Sequence, residues 1–444
     1  MTEQHPPDEH ATAEHASAEH ATAEHAADAA GGGRGLSRRG FFASAAGGVA
    51  LGALGGVAGT LAAAHAADAT PGDADAVGEA RAYPFYGGAH QVGIRTEPQR
   101  YCIYMTFDLV DGTTQLELQT LLARWSAAIA QLMQGKSIGA VQPARAGAVA
   151  ADTGEAADLG PNALTVTLGF GPGVFDDRFG LANRRPALLT PLPTLPSDQL
   201  KPELSGGDLS LQACADDPQV AYHAIRDLAR MGRGTVNTRW TVMGFGRASA
   251  GPHQSTPRNL LGFKDGTRNI TSDDEYERFV WLNDAGWMSG GTYQVVRKIQ
   301  MNIEIWDADP IGDQQQIFGR TKSEGAPLSG SREKDTPDFS AMRHGEPVMP
   351  QRSHVALAAH ENNDGIKILR RSYNYTDGIS QVGQLDAGLL FIAYMRDPQH
   401  FVALQRRLGA SDRLNEYIAH IGSALFAVPP APRPGHYIGE RLFA

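Results

Sequence analysis

Cysteine is nearly absent: Cys102 and Cys214 are the only two in 444 residues. That excludes a disulfide framework and any Cys-rich zinc or iron–sulfur centre, which need three or four thiolates. Basic runs are also missing. No block of five or more Lys/Arg occurs, and 39 Lys+Arg against 49 Asp+Glu give a formal net charge of -10. A chain of that balance has no basic field for nucleic acid, which we exclude as a partner. What is present is apolar material, 42% of residues, enough for two packed domains or one large one. The 15 histidines are the main pool of metal ligands.

The N-terminus reads as an address. Residues 1–36 repeat EHA(T/S)A-like units that place His5, His10, His15, His20 and His25 five apart. On a helix that step turns each His about 140° from the last, so they share no face and read as a solvated low-complexity tail. Ser37-Arg38-Arg39-Gly40-Phe41-Phe42 then precedes an uncharged Ala/Gly run from Ala43 to Ala64 and the small-residue site Ala64-His65-Ala66. This resembles a twin-arginine export signal with cleavage after Ala66. A retained membrane anchor is the alternative, weakened by Gly47, Gly48, Gly52, Gly55 and Gly56 inside the run. Removing 1–66 takes away seven acids and three bases and leaves a mature chain of charge -6. Because the twin-arginine route carries folded proteins, the signal points to a cofactor inserted before export.

Residues 67–82, rich in Ala, Gly and Asp, read as a linker. Beyond it the chain divides into 83–249 and 250–444. In the first half we expect strands at Tyr101–Leu109, Leu164–Phe170, Asp208–Ala215 and Arg239–Gly246, with helices over Leu116–Met133 and after Asp217-Pro218-Gln219. The second half should repeat this order. It has a strand from Thr292 to Asp307, a helix near Gly312–Arg320, a strand at Gly388–Met395 and a helix opened by Asp397-Pro398-Gln399. The two Asp-Pro-Gln segments are 180 residues apart and each is good helix-start chemistry. Two βαββαβ units predict an α+β protein, duplicated ferredoxin-like domains whose antiparallel sheets face one another.

Four segments of the second half stand out. Gly262-Phe263-Lys264-Asp265-Gly266-Thr267 flanks a carboxylate with glycine, Ser353-His354-Val355-Ala356-Leu357 sets a His among apolar residues, and Ile368-Leu369-Arg370-Arg371 places two arginines after an apolar pair. The fourth, Asp386 to Tyr394, is a buried strand on which Leu389 and Phe391 share a face by period-two alternation. Singly these read as a turn, a structural His, a solvated strand end and a core strand.

Together and in this order they resemble the dye-decolorizing peroxidases, across about Tyr83 to Ala444. The signal and the long C-terminal segment are similar to the exported branch that includes deferrochelatase/peroxidase proteins. One departure is Ser372, where exported relatives often carry glycine. The resemblance implies one haem b per chain, bound in the C-terminal half, with His354 as the axial ligand of its iron. It implies Asp265 as the distal acid-base, Arg370 as the distal cation, and Leu389 and Phe391 as pocket walls. Asp386 is the candidate partner of His354, and Arg320, with Lys322 beside it, a partner of the haem propionates. The activity implied is reduction of hydrogen peroxide through a ferryl intermediate and oxidation of organic reductants such as dyes and phenolics. Tyr373, Tyr375, Trp281 and Trp287 are candidate exits for the oxidising equivalent.

The implied partners are peroxide, a reductant and the twin-arginine translocase, with iron-uptake or copper-trafficking proteins as neighbours. The location is periplasmic or extracellular. A rival reading is a haem-handling deferrochelatase of an iron-acquisition system. A carboxylate in place of a histidine base stays ionised in acid, which predicts an acidic optimum for dye oxidation. Finally, the strands of Cys102 and Cys214 are expected to run parallel, with Cα atoms beyond the roughly 7 Å disulfide limit and both thiols free and buried.

Overall fold

Strand formation in the first half follows its β-branched and aromatic runs. In the computed structural model, which describes residues 80–246, 256–283 and 286–444, β1 covers Tyr101–Leu109. The histidine repeat, the twin-arginine segment, the cleavage site and residues 67–79 of the linker lie outside the described residues, as does the boundary at 249/250. Helix α1 (Gln115–Leu132) opens on a capping box, Thr114 with Glu117, and buries Leu118, Leu121, Leu122, Trp125 and Ile129. That is the stripe an amphipathic helix turns to its core. Strands β2 (Thr165–Phe170) and β3 (Leu209–Ala215) are buried throughout. Asp217 caps α2 (Pro218–Met231), with Pro in its first turn, and β4 (Val236–Phe245) closes the unit. Trp125 Nε1 donates to Leu228 O at 2.8 Å and ties the two helices together.

The order β4-β1-β3-β2, antiparallel throughout, is ferredoxin-like. It overturns one expectation. The crossover through α1 makes β2, not β3, the strand parallel to β1, and β3 returns between them antiparallel to both. Cys102 and Cys214 are therefore directly opposite on neighbouring strands. Both thiols are free and buried, as expected.

The second half begins after a short helix, α3 (Asp273–Phe279), with β5 (Thr292–Met301). The strand does not run on to Asp307. Asn302 N–H bonds Tyr417 O at 2.8 Å, and α4 (Ile303–Ala308) takes over, burying Trp306. The alternating Ile303 and Ile305 imitate a strand, but the helical turn is what delivers the indole to Phe263 and Phe318. Next come α5 (Ile311–Phe318), a small hairpin of β6 (Met342–Arg343) and β7 (Glu346–Pro347), α6 (His354–Ala358) and β8 (Leu369–Arg370). Strands β9 (Tyr373–Ile379) and β10 (Leu385–Met395), helix α7 (Pro398–Ser411) and β11 (Ile418–Val428) complete the unit. Its order, β9-β10-β5-β11, repeats the first. Asp397 caps α7 as Asp217 caps α2, so the two Asp-Pro-Gln segments hold equivalent places.

The two sheets also join at their edges. Gly244 and Phe245 of β4 pair with Tyr375 and Asn374 of β9, and Phe170 of β2 pairs with Ala427 of β11. Eight strands thus close on themselves around an interior of Tyr104, Trp240, Tyr373, Tyr394 and Phe426. Glycine is required at 244, because a Cβ there would lie 2.5 Å from that of Tyr373. Among the described residues no helix is long and apolar enough to cross a membrane.

Candidate functional site

The long segment between β5 and β9 leaves a cavity of about 260 Å³ on the outer face of the second sheet. Ile299, Met301, Leu389 and Phe391 floor it from the strands, and Phe318, Leu404 and Leu408 wall it from the helices. Leu389 and Phe391 face outward because their neighbours Leu390 and Ile392 fill the interior between the sheets.

His354 is the first residue of α6, whose start is fixed by Ser353 accepting from Ala356 N. Its Nδ1–H donates to Asp412 Oδ2 at 2.7 Å, while Oδ1 of the same carboxylate accepts from Leu414 N at 2.9 Å. Burial opposes protonation of the ring, but the Asp412 carboxylate overrides it and raises the pKa above the ordinary imidazole value. With Nδ1 engaged, Nε2 is left for the cavity. Asp386, the sequence candidate for this partner, is elsewhere. It sits near the start of β10 and accepts from Gln300 Nε2 at 3.2 Å. Asp412 follows α7, which packs on α6, and sequence spacing holds no cue for a partner 58 residues from His354.

Asp265 and Arg370 line the same cavity, with Oδ1 and Nη1 3.5 Å apart. Gly266 lets the chain turn directly behind the carboxylate, at a φ of 120° that L residues rarely adopt. Arg370 is held three ways. Its Nη2 donates to Thr267 O at 3.0 Å, its N–H to Asn269 Oδ1 at 3.0 Å, and its carbonyl accepts from Asn269 Nδ2 at 2.8 Å. Asn269 was not legible as a site residue, although it follows Asp265 by one turn of loop. Glu333 braces the loop from behind, accepting from Lys264 Nζ at 2.6 Å, Thr256 Oγ1 at 2.6 Å and Thr267 Oγ1 at 3.0 Å.

Arg320 lines the cavity and is buried; Nη1 donates to the carbonyls of Gly325 and Glu333. Burial first, then the charges of Arg268 and Arg370, lower its pKa to about 10. Arg268, paired with Glu361, is a further cation on this wall that sequence reading missed. Lys322 turns away, donating to Gln314 Oε1 at 2.7 Å and packing over Phe263 and Trp306. Tyr373, Tyr375, Trp281 and Trp287 are all buried and none lines the cavity. Ser372 is buried with no hydrogen bond to its Oγ.

These residues fit the group the resemblance implies. Apolar walls suit the faces of a haem macrocycle, an imidazole with a free Nε2 and a carboxylate behind it suits iron, and a buried guanidinium suits a propionate.

Comparison with known proteins agrees. The model of the Dyp-type peroxidase N-terminal domain matches residues 91–246, and that of the C-terminal domain matches 256–433. A curated relative in Yersinia pestis, named deferrochelatase, is 37% identical over 373 residues, spanning 81% of this chain and 84% of its own. The deferrochelatase of Escherichia coli strain K12 is 36% identical over 407 residues, 88% of this chain and 95% of its own. Among solved structures, ferric DtpA from Streptomyces lividans superposes with a TM-score of 0.77 at 38% identity, covering 82% of this chain and 98% of that one. A DyP-type peroxidase from Cellulomonas bogoriensis gives 0.75 at 37% identity, with 82% and 99% covered.

Proposed function

As a member of the Dyp-type peroxidase family, this chain is a haem-dependent peroxidase, and we propose that His354, Asp265 and Arg370 carry its chemistry. One observation supports the reading above all. An oriented imidazole and a carboxylate–guanidinium pair converge on one apolar cavity. Haem b, when bound, supplies an iron that reduces peroxide and then draws electrons from a reductant. His354 gives Nε2 to that iron, while Asp412 fixes the ring and its tautomer. Asp265 takes a proton from incoming hydrogen peroxide and returns it to the oxygen that leaves as water. Arg370, held by Thr267 and Asn269, stabilises the charge that gathers on that oxygen. Leu389 and Phe391 keep bulk water away, and Arg320 holds a propionate. Dyes and phenolics are the proposed reductants, and the twin-arginine translocase the route to a periplasmic or extracellular location. The proposed domains are 83–249 and 250–444.

Two variants test the proton and charge roles. Asp265→Ala and Arg370→Ala should each slow the reaction with stoichiometric peroxide by at least about tenfold, within the ranges for such groups. Stopped-flow spectra report it, and wild-type rates in both would remove these residues from the mechanism. His354→Ala should purify with little haem and no Soret band. Normal haem content would show that another residue holds the iron.

The second reading, haem handling with iron release, is favoured by the name deferrochelatase borne by the curated relatives. The same stopped-flow experiment separates the two. Conversion within milliseconds belongs to the peroxidase, and slow bleaching of the haem to the carrier.

A further inference from the structure

A second cluster of ligating side chains lies in the first half. His223 and Asp227 are one turn apart on α2 and present one face to the segment between α1 and β2, which carries Asp152. Their side chains, and that of Asp152, are 7%, 0% and 1% exposed. His223 Nε2 stands 3.5 Å from Asp152 Oδ2 and 3.6 Å from Asp227 Oδ2, and one ligating atom from each residue lies within 4.8 Å of the other two.

Two arrangements could place a buried imidazole nitrogen between two carboxylates. In one the ring is an imidazolium that donates to them, and such charge-assisted bonds run about 2.7–2.9 Å. The observed separations are well beyond that, and among the described residues no hydrogen bond reaches Nε2. In the other a cation sits between the three atoms. Ligands about 2.0–2.1 Å from a tetrahedral zinc ion lie about 3.3–3.4 Å from one another, close to what is seen.

The far side of the ring agrees. Nδ1 is 3.2 Å from Glu155 Oε2 and 3.3 Å from Thr153 Oγ1. An Nδ1–H donated there leaves the Nε2 lone pair facing two carboxylates, which is repulsive unless a cation intervenes. A carboxylate behind a ligating histidine is the usual means of fixing its tautomer. Charge gives an independent argument. Arg230 lies 3.0 Å from Asp227 Oδ1, an oxygen that is buried without a hydrogen bond, and Arg226, half exposed, pairs with Glu155. One buried carboxylate is thus left without a cation.

We propose that Asp152, His223 and Asp227 bind a divalent first-row cation, zinc by the character of the donors, with Glu155 positioning the histidine. The absence of thiolate and thioether donors disfavours copper(I). Asp152 is already set, its two oxygens accepting from Gly154 N at 2.7 Å and Ile138 N at 2.9 Å. The ion would pin the 138–155 segment to α2, with a fourth position for water.

The test is equilibrium dialysis of the full-length haem-loaded protein against Zn²⁺ after chelation, with metal analysis and hydrogen exchange on the same samples. Wild type should take up one more zinc than His223→Ala or Asp227→Asn, and Zn²⁺ should protect the 138–155 segment from exchange. Glu155→Gln, which leaves all three ligands in place, should weaken binding about 10- to 100-fold and covers the case in which the ligand variants fail to fold. Peroxidase rates should be unchanged in every folded variant, since none of these residues lines the cavity. Zinc held by the histidines of the N-terminal repeat would survive in His223→Ala and leave 138–155 unprotected. That outcome, or no saturable uptake at all, overturns the proposal.

Discussion

Asp412 shows how much a single carboxylate can decide. It is buried, accepts from His354 on one oxygen and from Leu414 N on the other, and so sets the direction in which Nε2 points. Replacing it with Asn should speed haem loss to a scavenger apoprotein about 10- to 100-fold, the range for such outer partners. Asp386→Asn, at a carboxylate that accepts from Gln300 Nε2, should leave the rate unchanged. If the two variants behave alike, Asp412 is not the residue that orients the ligand. His354, Asp265, Arg370, Leu389 and Phe391 were legible because each sits in a short motif whose neighbours are adjacent in sequence. Asp412 was not, since only the packing of α7 on α6 brings it near, and nothing in Ser411-Asp412-Arg413 distinguishes it from an ordinary turn capped by Asp.

At the level of elements, caps and strands were readable where one local force dominates. The two Asp-Pro starts are helix chemistry contained in four residues, whereas the alternation after Met301 predicts too long a β5 because burial of Trp306 outweighs it. The loop bearing Asp265 depends on a contact of the second kind. Glu333 lies 69 residues beyond Lys264 and braces it together with Thr256 and Thr267. Burial raises the Glu333 pKa, but these three donors outweigh it and hold the carboxyl below the ordinary carboxylate range. A depressed native pKa means that the stabilisation is present above the unfolded value and is lost as pH falls through the native one. Glu333→Gln should therefore be less stable than wild type at neutral pH, with the gap closing in acid, and should slow the peroxide reaction with little change in haem content. Denaturation midpoints measured from neutral to strongly acidic pH check this. A gap that widens in acid would contradict the sign.

The whole molecule is welded by a polar knot inside the ring of strands. Tyr104 OH donates to Gln294 Oε1 at 2.8 Å, Gln294 Nε2 reaches Gln212 Oε1 at 3.1 Å and Tyr394 OH at 2.8 Å, and Tyr394 OH donates to Gln212 at 2.8 Å. Two of the four residues come from each half, and all are buried. Gln294→Leu would leave Tyr104 OH without this partner, while Tyr394 OH and Gln212 Oε1 keep their bond to each other, at about 1–3 kcal/mol for a buried group left unpaired. Wild type should unfold in urea as one transition, and the variant should lose about 1–3 kcal/mol. Separate transitions for the two halves in wild type would show that the knot does not couple them. The walls of the cavity arrive in an instructive order. Asp265 precedes β5, His354 and Arg370 follow it, and Asp412 comes only after α7. A nascent chain therefore exposes His354 before Asp412, 58 residues further on, has been synthesised. Under the proposed ligation the site is complete only once the chain has been made through Asp412, so haem capture would follow synthesis of nearly all 444 residues.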